Sequence, residues 1–195
     1  MWGSTPHMGR YMGWKGTTLT NMQVSRTAGA AILIIAFMVS QAHASQKIAL
    51  YPFELDIPAT EEDFFIGEKK ANAEEEARLG LIRTEFEKAL KADGRYEVVD
   101  LAPLKEEITQ AQPLRTCNDC DVEIAKKAGA ELALLGIVNK VSETHLNLIV
   151  QIREVATGAT VNSMQVVVQG NTDDTWLHGA RWLLKNRLLV SEENK

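Results

Sequence analysis

The residues with the most chemistry in them are Cys117-Asn118-Asp119-Cys120, which hold both cysteines of the chain. C-x-x-C at a helix start is the spacing of thiol–disulfide enzymes, where helix amides lower the thiol pKa. The surroundings argue against that chemistry. Asp119 and Asp121 put negative charge beside the sulfurs, which disfavours a thiolate. The approach, Gln112-Pro113-Leu114-Arg115-Thr116, is no apolar strand, and no proline follows Pro113 to face a disulfide. The expectation is a structural disulfide between Cys117 and Cys120, closed in an oxidising compartment. A redox role for the pair is the alternative.

Structural zinc takes four ligands, normally with a second close pair. His145 and His178 each stand alone, so no metal site is expected with the cysteines, and neither histidine has a nucleophile or carboxylate at a defined spacing. The acid runs Glu61-Glu62-Asp63 and Glu74-Glu75-Glu76 lack the spacing of a calcium loop. They read as a solvated loop and a helix start that suits the dipole. No catalytic constellation and no cofactor motif follows from these residues.

Two apolar features sit where water is expected. Phe64-Phe65-Ile66 interrupts a polar loop, and three adjacent large apolar residues need burial in the core or against a partner. On the last helix, Trp182 and Leu189 fall opposite the apolar face built from Trp176, Leu177, Ala180, Leu183, Leu184 and Leu188. These five residues, Phe64, Phe65, Ile66, Trp182 and Leu189, are the candidate partner surface.

The elements that must position them follow from periodicity. Lys47 to Phe53 reads as a strand ended by Pro52, and Glu54 to Asn72 as a long acidic loop. Ala77, Leu81, Ile82, Phe86, Ala89 and Leu90 recur at helical spacing over 73–92, and Asp93-Gly94 stops the helix. A short strand over 96–100, a helix over 101–111 and another over 121–128 come next. Glu131 to Val141 is almost continuously apolar, as a strand buried on both faces should be. Thr144 to Val155 alternates, with Leu146, Leu148, Val150 and Ile152 on one side. A hairpin at 156–159 leads to a return strand over 161–170, and Thr172-Asp173-Asp174 caps a final helix. The expected fold is a single α/β domain with a mixed five-stranded sheet, in the order β-α-β-α-α-β-β-β-α.

An address precedes the domain. Ala28 to Val39 is uncharged and apolar, Arg26 stands before it, and Ala42-His43-Ala44 follows. That is a basic region, a short apolar core and a small-residue cleavage site. Residues 22–44 are expected to be a signal peptide cut between Ala44 and Ser45. Residues 1–21, long and rich in Gly and Thr, read as an over-called upstream extension. The apolar core is shorter than a membrane span of about 20 residues, so no stable insertion is expected after cleavage. An uncleaved inner-membrane anchor is the alternative. The absence of a twin Arg favours the general secretion route to the periplasm.

Charge narrows the partners. The chain carries 21 Lys and Arg against 26 Asp and Glu. Removing residues 1–44 takes Arg10, Lys15 and Arg26 and no acid, so 18 basic residues remain against 26 acidic ones, net −8. Such acidity disfavours nucleic acid and anionic lipid headgroups.

The landmarks come in a distinctive order: Tyr51-Pro52-Phe53-Glu54-Leu55, then Ala77-Arg78-Leu79, then Arg95 to Asp100. Cys117-x-x-Cys120, Ala128-Gly129-Ala130, Thr157-Gly158 and Gly170-Asn171-Thr172-Asp173 before Trp176 follow. In this order they resemble a family of secreted bacterial proteins classed as a domain of unknown function, over residues 46–190. More distantly the layout is similar to the α/β domains of the curli-secretion lipoprotein, the N-terminal domain of the Tol–Pal β-propeller protein, and lipoprotein activators of cell-wall synthases. The resemblance implies a periplasmic binding or accessory role with an envelope protein partner, and no catalytic residues. A small-ligand site at the carboxyl ends of the first two strands is a further alternative.

Overall fold

The computed structural model describes residues 45–59 and 70–190, all within one compact unit. The expected signal peptide, its Ala44 side of the cleavage site and Phe64-Phe65-Ile66 lie outside the described residues.

The sheet is mixed and has six strands among the described residues, one more than the sequence led us to expect. β1 (Gln46–Leu50) pairs in parallel with β3 (Tyr96–Val98) on one side and β4 (Leu132–Ser142) on the other. β5 (His145–Glu154) and β6 (Thr160–Gln169) continue it antiparallel, in the order β3-β1-β4-β5-β6. The additional strand, β2 (Glu54–Asp56), lies where an acidic loop was expected and pairs with β4 beyond the end of β1. β1 and β2 therefore share one edge of β4, broken at Tyr51-Pro52-Phe53. Three residues, two of them acidic, carry no period-2 signal. Side chains hold them in place: the Glu54 carboxylate accepts the Leu114 and Arg115 N–H groups at 2.6 and 3.2 Å. Asp56 accepts from Arg115 Nε at 3.1 Å and Asn139 Nδ2 at 2.8 Å.

Among the described residues four α-helices flank the sheet: α1 (Ala73–Asp93), α2 (Lys105–Ala111), α3 (Cys120–Lys127) and α4 (Asp173–Leu183). The chain leaves β1 and β2 for α1 on one face and leaves β3 for α2 and α3 on the other. β4 is consequently covered on both sides. Leu132, Leu134 and Val138 face the cluster under α1 and α4. Ala133, Leu135 and Ile137 face the cluster under α2 and α3. Gly136 makes room for the Phe53 ring, which stands where a Cβ would be, 2.1 Å away at its nearest atom.

Helix α1 starts at a capping box in which Asn72 and Glu75 exchange hydrogen bonds. Its buried stripe is Glu75, Leu79, Ile82, Phe86 and Leu90. Leu81, expected in that stripe, is exposed, and Leu79 replaces it. The step of 3 or 4 from Ile82 back to Leu79 and Glu75 keeps one face, whereas Leu81 turns about 100° off it.

Candidate functional site

Three places in the described residues bring chemistry-bearing or adhesive side chains together, and we take them in turn.

The cysteine pair is joined, with Cα atoms 5.7 Å apart, and Cys120 opens α3. Asp119 takes φ 67° at the turn between the sulfurs, a conformation that Asp tolerates better than most residues. Arg153 of β5 reaches under this turn, pairing with Asp119 and, at 2.8 Å, with the buried Asp121. The acids flanking the motif are thus tied to a guanidinium. Tyr51 donates its hydroxyl to the Asp121 carbonyl at 2.5 Å. Burial, with the Asp121 charge adding to it, pushes the Tyr51 pKa upward, so this tyrosine is a structural donor. The surroundings of the cysteines are a cross-braced turn and give the redox alternative no support.

A crevice of about 660 Å³ opens at the carboxyl ends of β1 and β3, where the following helices depart to opposite faces. Leu50, Pro52 and Val99 line it together with Arg83, Asp100 and Lys105. Arg83 donates to the Leu50 carbonyl at 3.3 Å and pairs with Glu87 at 3.1 Å. Glu87 also takes Lys91 Nζ at 2.6 Å, and that hydrogen bond holds its carboxyl below the usual range. A ligand site at these strand ends was an alternative offered by the sequence; of the charged residues of its wall, Arg83, Glu87 and Lys91 belong to α1, Lys105 opens α2 and Asp100 follows β3. Nothing in their spacing announces that they meet.

The third place is the cleft of about 610 Å³ between α4 and β6. Val166, Val168, His178, Gly179 and Trp182 line it. Helix α4 begins at a second capping box, with Thr172 and Thr175 reciprocating. Its Trp176 is buried and donates Nε1–H to Asn171 at 3.1 Å. Asn171 also accepts from Arg78, which pairs with Asp173 at 2.9 Å. The landmarks Arg78 and Asn171 to Trp176 thus form one brace between α1 and α4. Trp182 is 41% exposed.

Leu189, expected beside Trp182, is half-buried and packs against the main core. The reason is the end of the helix. Residues Leu184–Leu188 form a π turn, and the Leu189 N–H reaches back five residues to the Leu184 carbonyl at 2.8 Å. A π turn advances less per residue than an α turn. Seven residues after Trp182 the chain has therefore not come round to the same face. Trp182 instead lines the cleft together with Val166 and Val168 of β6. One signal for this was in the sequence: Thr160 to Gln169 holds no charge and no proline.

His145 and His178 are both exposed. Among the described residues no group of three or more His, Cys, Asp and Glu is placed to hold a metal ion, and no helix is long and apolar enough to cross a membrane.

The described residues thus form an α/β domain with a mixed sheet, helices on both faces of its parallel half, and an antiparallel end at β6. Over residues 46–188 it matches, and belongs to, the family described as "Protein of unknown function (DUF2380)". Among curated proteins, none matches the chain. It is similar in fold to the C-terminal domain of LpoB from Escherichia coli, at 16% identity over 66% of this chain and 86% of that one, TM-score 0.45. It is similar also to lipoprotein GNA1162 from Neisseria meningitidis, at 14% identity over 75% and 98%, TM-score 0.45. A third is the PelC dodecamer from Paraburkholderia phytofirmans, at 14% identity over 72% and 86%, TM-score 0.43.

Proposed function

We propose that this chain is a non-enzymatic accessory protein of the bacterial envelope that works by binding protein. It is exported with residues 22–44 as signal peptide, released at Ser45, and acts in the periplasm. The observation that carries the reading is Trp182, a large aromatic side chain left open at the lip of an apolar cleft. Exposed Trp beside apolar surface is the composition of a binding hot spot. The Phe64-Phe65-Ile66 cluster is the second part of the proposed surface, and it rests on the sequence alone.

The test is a photo-reactive amino acid at position 182 of the full chain, irradiated in intact cells, with position 81 as the exposed control. A defined protein adduct from 182 and none from 81 supports the reading. No adduct, or the same adducts from both positions, overturns it. The intact mass of the mature protein tests the export half: a mass retaining residues 22–44 means an anchored chain.

The crevice between β1 and β3 favours a second reading, a small-ligand-binding periplasmic domain, because the carboxyl ends of strands whose helices diverge are where α/β sheets take ligands. Native mass spectrometry of the protein as purified would show a retained small molecule, and an Arg83→Ala variant would lose it.

A further inference from the structure

We infer that the α4–β6 cleft is a dimer interface, occupied by the same cleft of a second copy of this chain. The inference rests on the reading that Trp182 marks a protein-binding surface, and it names the partner. Among the described residues β6 is an edge strand, with β5 as its one neighbour in the sheet. Gly170 N–H donates to the Thr144 carbonyl, and Gln169 lies across from His145. Antiparallel pairs alternate in the direction of their backbone groups. Met164, Val166 and Val168 therefore spend theirs on β5, while Ser163, Gln165, Val167 and Gln169 point theirs outward. Natural edge strands are guarded by charge, proline, short length or a covering element. β6 is ten residues long, has neither charge nor proline, and contains three consecutive valines. Such an edge is a ready template for pairing with another strand.

Self-complementarity selects a second copy. The chain without residues 1–44 is acidic, with 18 basic against 26 acidic residues, so two copies repel unless they meet on a neutral seam, and β6 is one. Antiparallel β6–β6 pairing about a two-fold axis near Val166 sets Gln165 opposite Val167 and Met164 opposite Val168, with no like charges opposed. The same axis lays the two α4 helices side by side and antiparallel. Asp174, His178 and Trp182 follow one another at steps of four along α4, which places them on one stripe, and Lys185 follows in the π turn at its end. The run is acidic at its start and basic at its end. Reversed on a second copy, Asp174 comes toward Lys185, and Trp182 is covered.

The test is sedimentation velocity on protein purified from cells expressing the full chain, with amide exchange read in parallel. Val167→Pro removes an outward N–H and leaves the β5 ladder intact. Val167→Lys places a charge on the seam and serves if the proline variant fails to fold. Expected are a wild-type dimer, protected Gln165 and Val167 amides, and dissociation constants raised by about 100-fold or more in both variants. A monomeric wild type, or a dimer that the folded variants leave intact, overturns the inference. The adduct at position 182 separates this failure from that of the broader reading. An adduct of twice the chain mass supports both. An adduct with a different, identified envelope protein keeps the reading and removes the dimer, and no adduct removes both.

Discussion

Lys140 of β4 holds its ammonium 2.7 Å from a carboxylate oxygen of Glu75, whose side chain is 2% exposed in the first turn of α1. This ion pair fastens the start of α1 to the far end of the longest strand. Asn72 donates its backbone N–H to the other Glu75 oxygen at 3.0 Å, and Asn171 brings its amide to 3.4 Å. The carboxylate is thus satisfied from three elements at once, which is what lets a charge stay buried.

Removing one partner strands the other. Lys140→Met keeps the aliphatic stem but leaves Glu75 buried without its cation, and a loss of about 3–5 kcal/mol in urea unfolding is expected. Glu75→Gln keeps an acceptor for the Asn72 N–H and should cost less than Lys140→Met. The reverse order of the two costs would mean that the cap, not the ion pair, carries the stability.

The same pair makes the fold acid-sensitive in a predictable way. Burial pushes Glu75 upward, but the Lys140 hydrogen bond, the Asn72 N–H and the Lys140 charge together outweigh it, leaving the carboxyl below its ordinary value of 4.5. A carboxyl whose pKa is depressed on folding contributes stability that is present above 4.5 and lost as pH falls through the lowered value. Lys140 is raised on folding, with its Glu143 and Glu75 hydrogen bonds overcoming burial, so its share is full below 10.5 and fades only as pH rises past the raised value. The gap in stability between wild type and Lys140→Met should therefore shrink in acid below 4.5, where the variant's carboxyl is protonated and no longer needs a cation. A gap that stays constant from neutral pH into acid would exclude this pair as its source.

Glycine at 136 is needed for packing. An added Cβ would stand 2.1 Å from the Phe53 ring, which lies over β4 and packs against Phe86 with centroids 5.2 Å apart. Gly136→Ala should cost about 1–3 kcal/mol by overpacking. Combining it with Phe53→Leu should cost less than the sum of the two single changes. Simple additivity would show that the ring moves aside freely.

Much of this was legible because it is local. The run Leu132 to Val138 announces a strand buried on both faces, and it is buried throughout. The alternation of Leu146, Leu148, Val150 and Ile152 fixes which face of β5 is inside. What was not legible is held by residues far apart in the chain. β2 exists because Leu114, Arg115 and Asn139 bind its two acids. The crevice wall joins α1 to α2. The turn that draws Leu189 to the core is a backbone irregularity, and a fixed 100° step cannot see it.

The disulfide closes a loop with a sequence separation of 3, so its effect on unfolded-chain entropy is small, on the order of 1–2 kcal/mol. Arg153 independently braces the turn through Asp119 and Asp121. Replacing Cys117 and Cys120 with Ser should lower the melting temperature modestly, and Arg153→Met should lower it further, because Asp121 is then left buried and unpaired. If the serine double variant is the more damaging of the two, the covalent link and not the arginine holds this turn.

Two tryptophans six residues apart on one helix make the sharpest contrast. Trp176 is 3% exposed, lies in the main core and spends its indole N–H on Asn171. Trp176→Ala removes that packing and one of the two donors to Asn171, so a loss of about 3–5 kcal/mol is expected. Trp182 is 41% exposed and its ring ends on the surface. Measured at a dilution where the chain is monomeric, Trp182→Ala should change unfolding free energy by no more than about 0.5 kcal/mol. At high concentration the same variant should lose the additional stability that association gives the wild type, since whatever binds only the folded state stabilises it by mass action. A Trp182→Ala variant that is strongly destabilised even when dilute would place this side chain in the monomer's own core and take the binding surface away from α4.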